Sequence, residues 1–161
     1  MNLKLRLARA TDLQMIFRWA NDPVVRANAF NPHQITLEDH TKWYNEKMKN
    51  RNTIFLILEM NDEPAGQIRY ELQEDEIIIN YMIATEYRGH GLGNEILGLG
   101  EKYLAVIELP ENIHKIVGYV KKENIASLKA FNKNNYLCLE NEGQNHSGSF
   151  RFEKLIQRNA D

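Results

Sequence analysis

Leu3, Leu5 and Leu7 alternate with Lys4, Arg6 and Ala8, a pattern that predicts a half-buried strand at the start of the chain. Thr11-Asp12 then offers a helix cap, and Leu13, Ile16, Phe17 and Ala20 carry a helical apolar stripe. Asn21-Asp22-Pro23 stops that helix, because proline restricts the residue before it. Thr36 caps a second helix, with Asp39 as a near capping box. This helix runs to about Lys49, with Leu37, His40, Trp43, Tyr44 and Met48 as its expected inner face. Residues 53–60, 66–72 and 76–84 read as strands joined by turns at Asn61-Asp62-Glu63 and Glu74-Asp75, an antiparallel meander. A helical pattern follows from Asn94 to about Ile107, with Ile96, Leu97, Gly100, Leu104 and Ile107 at helical spacing. Gly98 and Gly100 weaken a helix interior and so suggest close packing against the sheet. His114 to Val120 is a strand, and Asn124 opens a helix that Asn134-Asn135 closes, asparagine tolerating the left-handed conformation there. Tyr136 to Glu140 and Phe150 to Leu155 are closing strands around a polar loop.

Composition narrows the class without identifying it. A chain of 161 residues with no linker or repeat suggests one domain spanning residues 1–161. A net charge of -2 argues against nucleic-acid binding by bulk electrostatics. No apolar run is long enough to span a membrane, and the alternating, charged N-terminus is unlike a signal peptide. The single cysteine, Cys138, cannot form an internal disulfide, which suits the cytoplasm; within a strand it reads as a small core residue.

The chemistry gathers at Arg88-Gly89-His90-Gly91-Leu92-Gly93, where an apolar strand enters a glycine-rich turn and leaves as a helix. Such a turn aims backbone N–H groups inward, and the helix N-terminus adds its positive end, so the stretch suits a phosphate. A P-loop would continue Gly-Lys-Ser/Thr, but Asn94 and Glu95 stand there. The dinucleotide fingerprint fails because its third glycine falls in the wrong place. Arg/Gln-x-x-Gly-x-Gly/Ala fits at every fixed position.

That motif, together with the order of elements, resembles the GNAT family of N-acetyltransferases. The resemblance implies an α/β (α+β) fold, with a mixed, mostly antiparallel twisted sheet flanked by helices and splayed central strands. It implies acetyl-CoA as co-substrate and no metal. The amides of Gly89, His90, Gly91, Leu92, Gly93 and Asn94, with Arg88, would hold the pyrophosphate. The backbones of Tyr81, Met82 and Ile83 would hold the pantetheine arm. A second family signature, Asn-x-x-Ser/Ala followed by a tyrosine, fits Asn124-Ile125-Ala126-Ser127, but the tyrosine position is Phe131. Phe131 has no proton to give a leaving thiolate, so solvent, Tyr136 or Tyr81 would supply it. His40 and Glu71 are candidate bases for the attacking amine, with His114 and His90 behind them and a water relay as a further route.

Three segments within the family pattern are distinctive: Trp19-Ala20-Asn21-Asp22-Pro23-Val24-Val25-Arg26, Asn28-Ala29-Phe30-Asn31 and His40-Thr41-Lys42-Trp43-Tyr44. They are similar to the amino-sugar N-acetyltransferases of pseudaminic acid biosynthesis, as is Gly66-Gln67-Ile68-Arg69. The resemblance implies a small-molecule partner, a UDP-linked 4-amino-4,6-dideoxy sugar, with Trp19, Asn21, Arg26, Asn28, Phe30, Trp43 and Asn80 as acceptor-binding candidates. Peptide N-termini or ribosomal proteins are the alternative acceptors, and a non-catalytic acetyl-CoA binding module is the alternative class. Monomer and homodimer are both compatible with the sequence.

Overall fold

The computed structural model describes residues 1–158. Its frame is a seven-stranded sheet of β1 (Leu3–Leu7), β2 (Thr53–Met60), β3 (Glu63–Gln73), β4 (Glu76–Ile83), β5 (Lys115–Lys121), β6 (Leu137–Glu140) and β7 (Ser149–Leu155). Its strand order is β1-β2-β3-β4-β5-β7-β6. The meander reads as the sequence predicts. Asn61 and Asp62 both take positive φ, 52° and 68°, the pair of left-handed residues that a tight hairpin turn requires.

Helices α1 (Leu13–Ala20) and α3 (Leu37–Lys49) cover one face of the sheet, and α4 (Leu92–Val106) with α5 (Ile125–Lys133) cover the other. Under α4 and α5 lies the larger core, where Leu56, Ile68, Tyr70, Ile77 and Ile79 meet Ile96, Leu97, Leu104, Ala130 and Phe131. Ala8, Ile16, Tyr44, Phe55 and Ile57 form the smaller core beneath α1 and α3. The connector after α1 holds a short helix, α2 (Pro23–Asn28), which the sequence reading leaves as a connector. Asp22 caps it by accepting from the amides of Val24 and Val25.

The parallel pairing of β4 and β5 covers only Glu76 to Ile78 against Lys115 to Val117. Beyond that the strands part, because β5 stays paired with β7 through Lys121 while β4 stays paired with β3 through Ile83. The splay expected of the central strands is therefore present, and it opens the sheet from Ile79 onward.

Three expectations fail at the periphery. Leu37 and Met48 are exposed (44% and 38%), so the inner face of α3 narrows to His40 and Tyr44, with Trp43 at its margin. Cys138 is exposed on the edge strand β6 and is not a core residue, since a strand at the sheet's end has one neighbour and little cover. Gly98 does not pack tightly: a Cβ there would lie 3.4 Å from Asn134 Oδ1, ordinary contact.

Candidate active site

A cleft of about 920 Å³ runs through the splay, from the α1–α3 face of the sheet to the N-termini of α4 and α5. On one side stands the glycine loop. Gly89 and Gly91 take φ of 80° and 76°, conformations strained for any other residue, and Gly91 is the cap of α4. The helix then presents its free amides to the cleft, where Gly89, Gly91, Leu92, Gly93 and Asn94 all line the wall. His90 turns away as an exposed residue outside that lining. The unpaired stretch of β4 contributes Ile79, Asn80, Tyr81, Met82 and Ile83. Such a concavity of amides at a helix start, beside an open strand edge, is suited to a phosphate and to an extended amide-bearing chain.

The Arg88 guanidinium is engaged within the protein. It pairs with Asp22 at 2.9 Å and donates through Nε to the carbonyl of Ile83 at 3.2 Å. Asp22 also accepts from the Thr85 hydroxyl at 2.7 Å. Burial works against the Asp22 charge, but the Thr85 and Arg88 hydrogen bonds outweigh it and hold the carboxyl below its ordinary range. One carboxylate thus caps α2 and ties it to the glycine loop. Asp22 stands within a distinctive sequence motif, but neighbouring residues alone do not reveal this role.

Across the cleft, α2 and the segment after it form the opposite wall. Arg26 donates to the carbonyls of Ala20, Asn31 and His33, and so braces that segment while lining the cleft. Asn28 and Phe30 line it as well. Phe30 packs on His146 at 4.4 Å, and His146 stacks on Tyr119 of β5 at 4.6 Å, which closes the outer end. Trp19 and Asn21 are not brought to the cleft. Trp19 packs against the smaller core, and Asn21 pins the chain at Ile35 with hydrogen bonds of 2.7 and 2.8 Å.

The candidate acid–base residues separate clearly. His40 is buried yet lines the cleft, among Phe17, Trp43 and Tyr44. Its Nε2 lies 2.9 Å from the carbonyl of Leu13. A carbonyl only accepts, so Nε2 carries the proton and Nδ1 holds the lone pair. Burial lowers its pKa below the usual 6.5, partly offset by that hydrogen bond, so the ring is neutral near pH 7. Glu71 faces α3 and pairs with Lys47 and Arg69, outside the cleft lining. Tyr136 is buried in the larger core against Phe131, with its hydroxyl unpartnered and its pKa pushed far up by burial; it does not reach the cleft. His114 starts β5's side of the sheet at the closed end, away from the lining.

Phe131 is almost fully buried, stacked on Phe152 and facing Gly118, where a Cβ would come within 2.6 Å of its ring. The hydroxyl on this wall belongs instead to Tyr81, which donates to Ser127 Oγ at 3.0 Å. Burial raises its pKa and the Ser127 hydrogen bond offsets this only partly, so it keeps its proton at neutral pH. Asn124 caps α5 by accepting from the Ser127 amide. Among the described residues no group of three or more His, Cys, Asp or Glu side chains could hold a metal ion.

Residues 2–136 match the model described as the acetyltransferase (GNAT) domain, and the chain belongs to this family of acetyl-CoA-dependent N-acetyltransferases. The fold is shared with solved members. A spermidine N-acetyltransferase from Vibrio cholerae, solved with CoA and spermine, superimposes with a TM-score of 0.79 at 19% identity, covering 96% of this chain and 95% of that one. The aminoglycoside acetyltransferase AAC(6')-Ib in complex with coenzyme A gives 0.81 at 16% identity, over 96% and 95% of the two chains. RimL, a ribosomal L7/L12 α-N-protein acetyltransferase in complex with coenzyme A, gives 0.78 at 15% identity, over 97% and 95%. No curated protein matches the sequence significantly. These identities establish a common fold and leave the acceptor to the residues of this cleft.

Proposed function

We propose that this single-domain enzyme acetylates the amino group of an anionic, nucleotide-linked sugar of the UDP-4-amino-4,6-dideoxy type. One observation carries the reading. Away from the glycine-loop wall the cleft is lined by the cations Arg26, Arg69 and Lys121, and Asp39 is the lone carboxylate among the described lining residues. Polycationic acceptors such as spermine or an aminoglycoside would meet like charge there, whereas a diphosphate would be drawn in. The motif residues Arg26, Asn28, Phe30, Trp43 and Asn80 line the same volume, consistent with a sugar nucleotide's hydroxyls and rings.

In this reading the amides of Gly89 to Asn94 hold the pyrophosphate of acetyl-CoA, with Arg88 adding charge beside them. The backbones of Tyr81 to Ile83, with Asn124 and Ser127, hold its pantetheine arm. Acetyl-CoA, when bound, supplies the acyl group as a thioester. His40 takes the proton of the acceptor ammonium at Nδ1, directly or through water, and a backbone amide of Met82 or Ile83 stabilises the oxyanion. The proton held at Tyr81 Oη, with Ser127 behind it, replaces the one that Phe131 lacks.

A thiol-release assay across an acceptor panel tests the proposal. Free CoA is expected with a UDP-4-amino sugar, and not with spermidine or N-terminal peptides. Turnover of peptides or polyamines alone overturns it. In the same assay Tyr81→Phe should lower kcat by about 10²-fold, the lower end of what one positioned proton donor contributes; an unchanged kcat removes Tyr81 from the scheme.

A further inference from the structure

Arg69 is a largely buried cation whose donors are unused. It lies on β3 with Phe55 directly opposite on β2 and Asn80 directly opposite on β4, so the three side chains share the α1–α3 face of the sheet. Its guanidinium sits 4.8 Å from the Trp43 ring centre and 5.7 Å from that of Phe55. Those rings shield it from most of the solvent, leaving the side chain 14% exposed. Its charge is poorly compensated. Glu71 Oε1 is 3.6 Å from Nε, too far for a hydrogen bond, and the same carboxylate pairs with Lys47. Among the described residues no guanidinium N–H of Arg69 makes a hydrogen bond, and Nε is fully buried without a partner. Burial pulls its pKa below the ordinary value, with Glu71 offsetting only part of this. Leaving a buried charge this way is costly unless something else completes it.

Beside it, Asn80 sits where β4 has just left β5, and its Oδ1 accepts from Gln67 Nε2 at 3.3 Å. That bond turns the Asn80 amide so that its own N–H groups face away from Gln67, as further donors. Both Arg69 and Asn80 line the cleft. We infer that Arg69 and Asn80 form an oxyanion subsite on the floor of the acceptor side, which binds an anionic group carried by the acceptor itself. A guanidinium packed against two aromatic rings is already restrained, so it loses little side-chain entropy on pairing with phosphate or carboxylate. Identifying the oxyanion as a nucleotide-sugar phosphate rests on the proposed acceptor; the subsite does not.

The test uses the full chain saturated with CoA, so that the glycine loop is filled, and titrates UDP and malonate by calorimetry. UDP should bind the wild type, with affinity reduced at least about tenfold in Arg69→Ala and less in Arg69→Lys, which keeps charge without the fork. Asn80→Asp changes an exposed side chain and keeps the fold in hand even if Arg69→Ala does not fold; it should weaken UDP by about tenfold through like charge. CoA affinity should hold within about twofold in each. Arg69-dependent binding of malonate without UDP would keep the subsite and overturn the nucleotide-sugar acceptor. Failure of both probes to bind, or UDP binding equally to wild type and Asn80→Asp, overturns the subsite, even where a UDP-amino sugar is turned over.

Discussion

The two walls of the cleft are made of different material. The wall around the glycine loop presents main chain: amides from Gly89 to Asn94 and an open strand edge from Ile79 to Ile83. The facing wall presents side chains drawn from separate elements, Arg26 from α2, Trp43 from α3, Arg69 from β3 and Asn80 from β4. A main-chain site is specified locally, since glycines at the right spacing fix its shape. A side-chain site is specified by which strands and helices meet. The first suits a co-substrate common to a family; the second lets one fold take different acceptors.

Breaking the side-chain wall at its centre should have the largest effect. His40→Gln keeps a neutral polar side chain but cannot take a proton. If His40 is the base, kcat should fall by about 10²- to 10³-fold while the KM for acetyl-CoA stays unchanged. A loss under about threefold would assign the proton to water. Stability should report the same residue independently. The folded-state pKa lies below 6.5, so below about pH 6.5 the unfolded chain binds more protons than the folded one. That contribution to stability is present above pH 6.5 and is lost as pH falls towards the folded-state value. His40→Gln should flatten this part of the stability–pH curve measured by urea unfolding.

Asp22 allows a test of whether the walls are independent. Asp22→Asn keeps a good helix cap and removes the charge that Arg88 and Thr85 share. A partly exposed pair of this kind contributes about 0.5–1 kcal/mol, so KM should rise about two- to fivefold. The rise is expected for acetyl-CoA and acceptor alike, because one carboxylate positions both the glycine loop and α2. A change confined to one substrate would show that the walls move separately.

The same contrast explains what the sequence reveals. Arg88 to Gly93 and the strand and helix around it can be read from neighbouring residues, and so could the left-handed Asn135 that ends α5, observed at φ 63°. Arg69 could not be read that way. It is one charged residue in an alternating strand, and only the register with Phe55 and Asn80 and the approach of Trp43 put it on the cleft floor. Glu71 stands two residues along on the same face, yet Lys47 of α3 covers it and removes it from the cleft. Tyr136 failed for a related reason. Its position in a sequence motif says nothing of which way it turns between α5 and β6, and it turned into the core.

The smallest effect on the cleft is expected from α4, where the sequence treats Gly98 and Gly100 alike. An alanine Cβ at Gly100 would stand 1.9 Å from the Tyr70 hydroxyl and 3.1 Å from Ile68, in the packed layer between α4 and the sheet. Tyr70 is fully buried and has no room to withdraw, so Gly100→Ala should cost about 1–3 kcal/mol. At Gly98 the only neighbour among the described residues is Asn134 Oδ1, at 3.4 Å, and the backbone is helical. Gly98→Ala should therefore stabilise the fold by about 0.5–1 kcal/mol, the ordinary helical gain of alanine over glycine. Urea unfolding of the two variants measures both signs. Neither substitution touches the cleft lining, so the KM for both substrates should be unchanged in Gly98→Ala. If Gly98→Ala raised the KM for acetyl-CoA, the main-chain wall would depend on how α4 is seated as well as on the glycines that open it, and local specification of that wall would no longer hold.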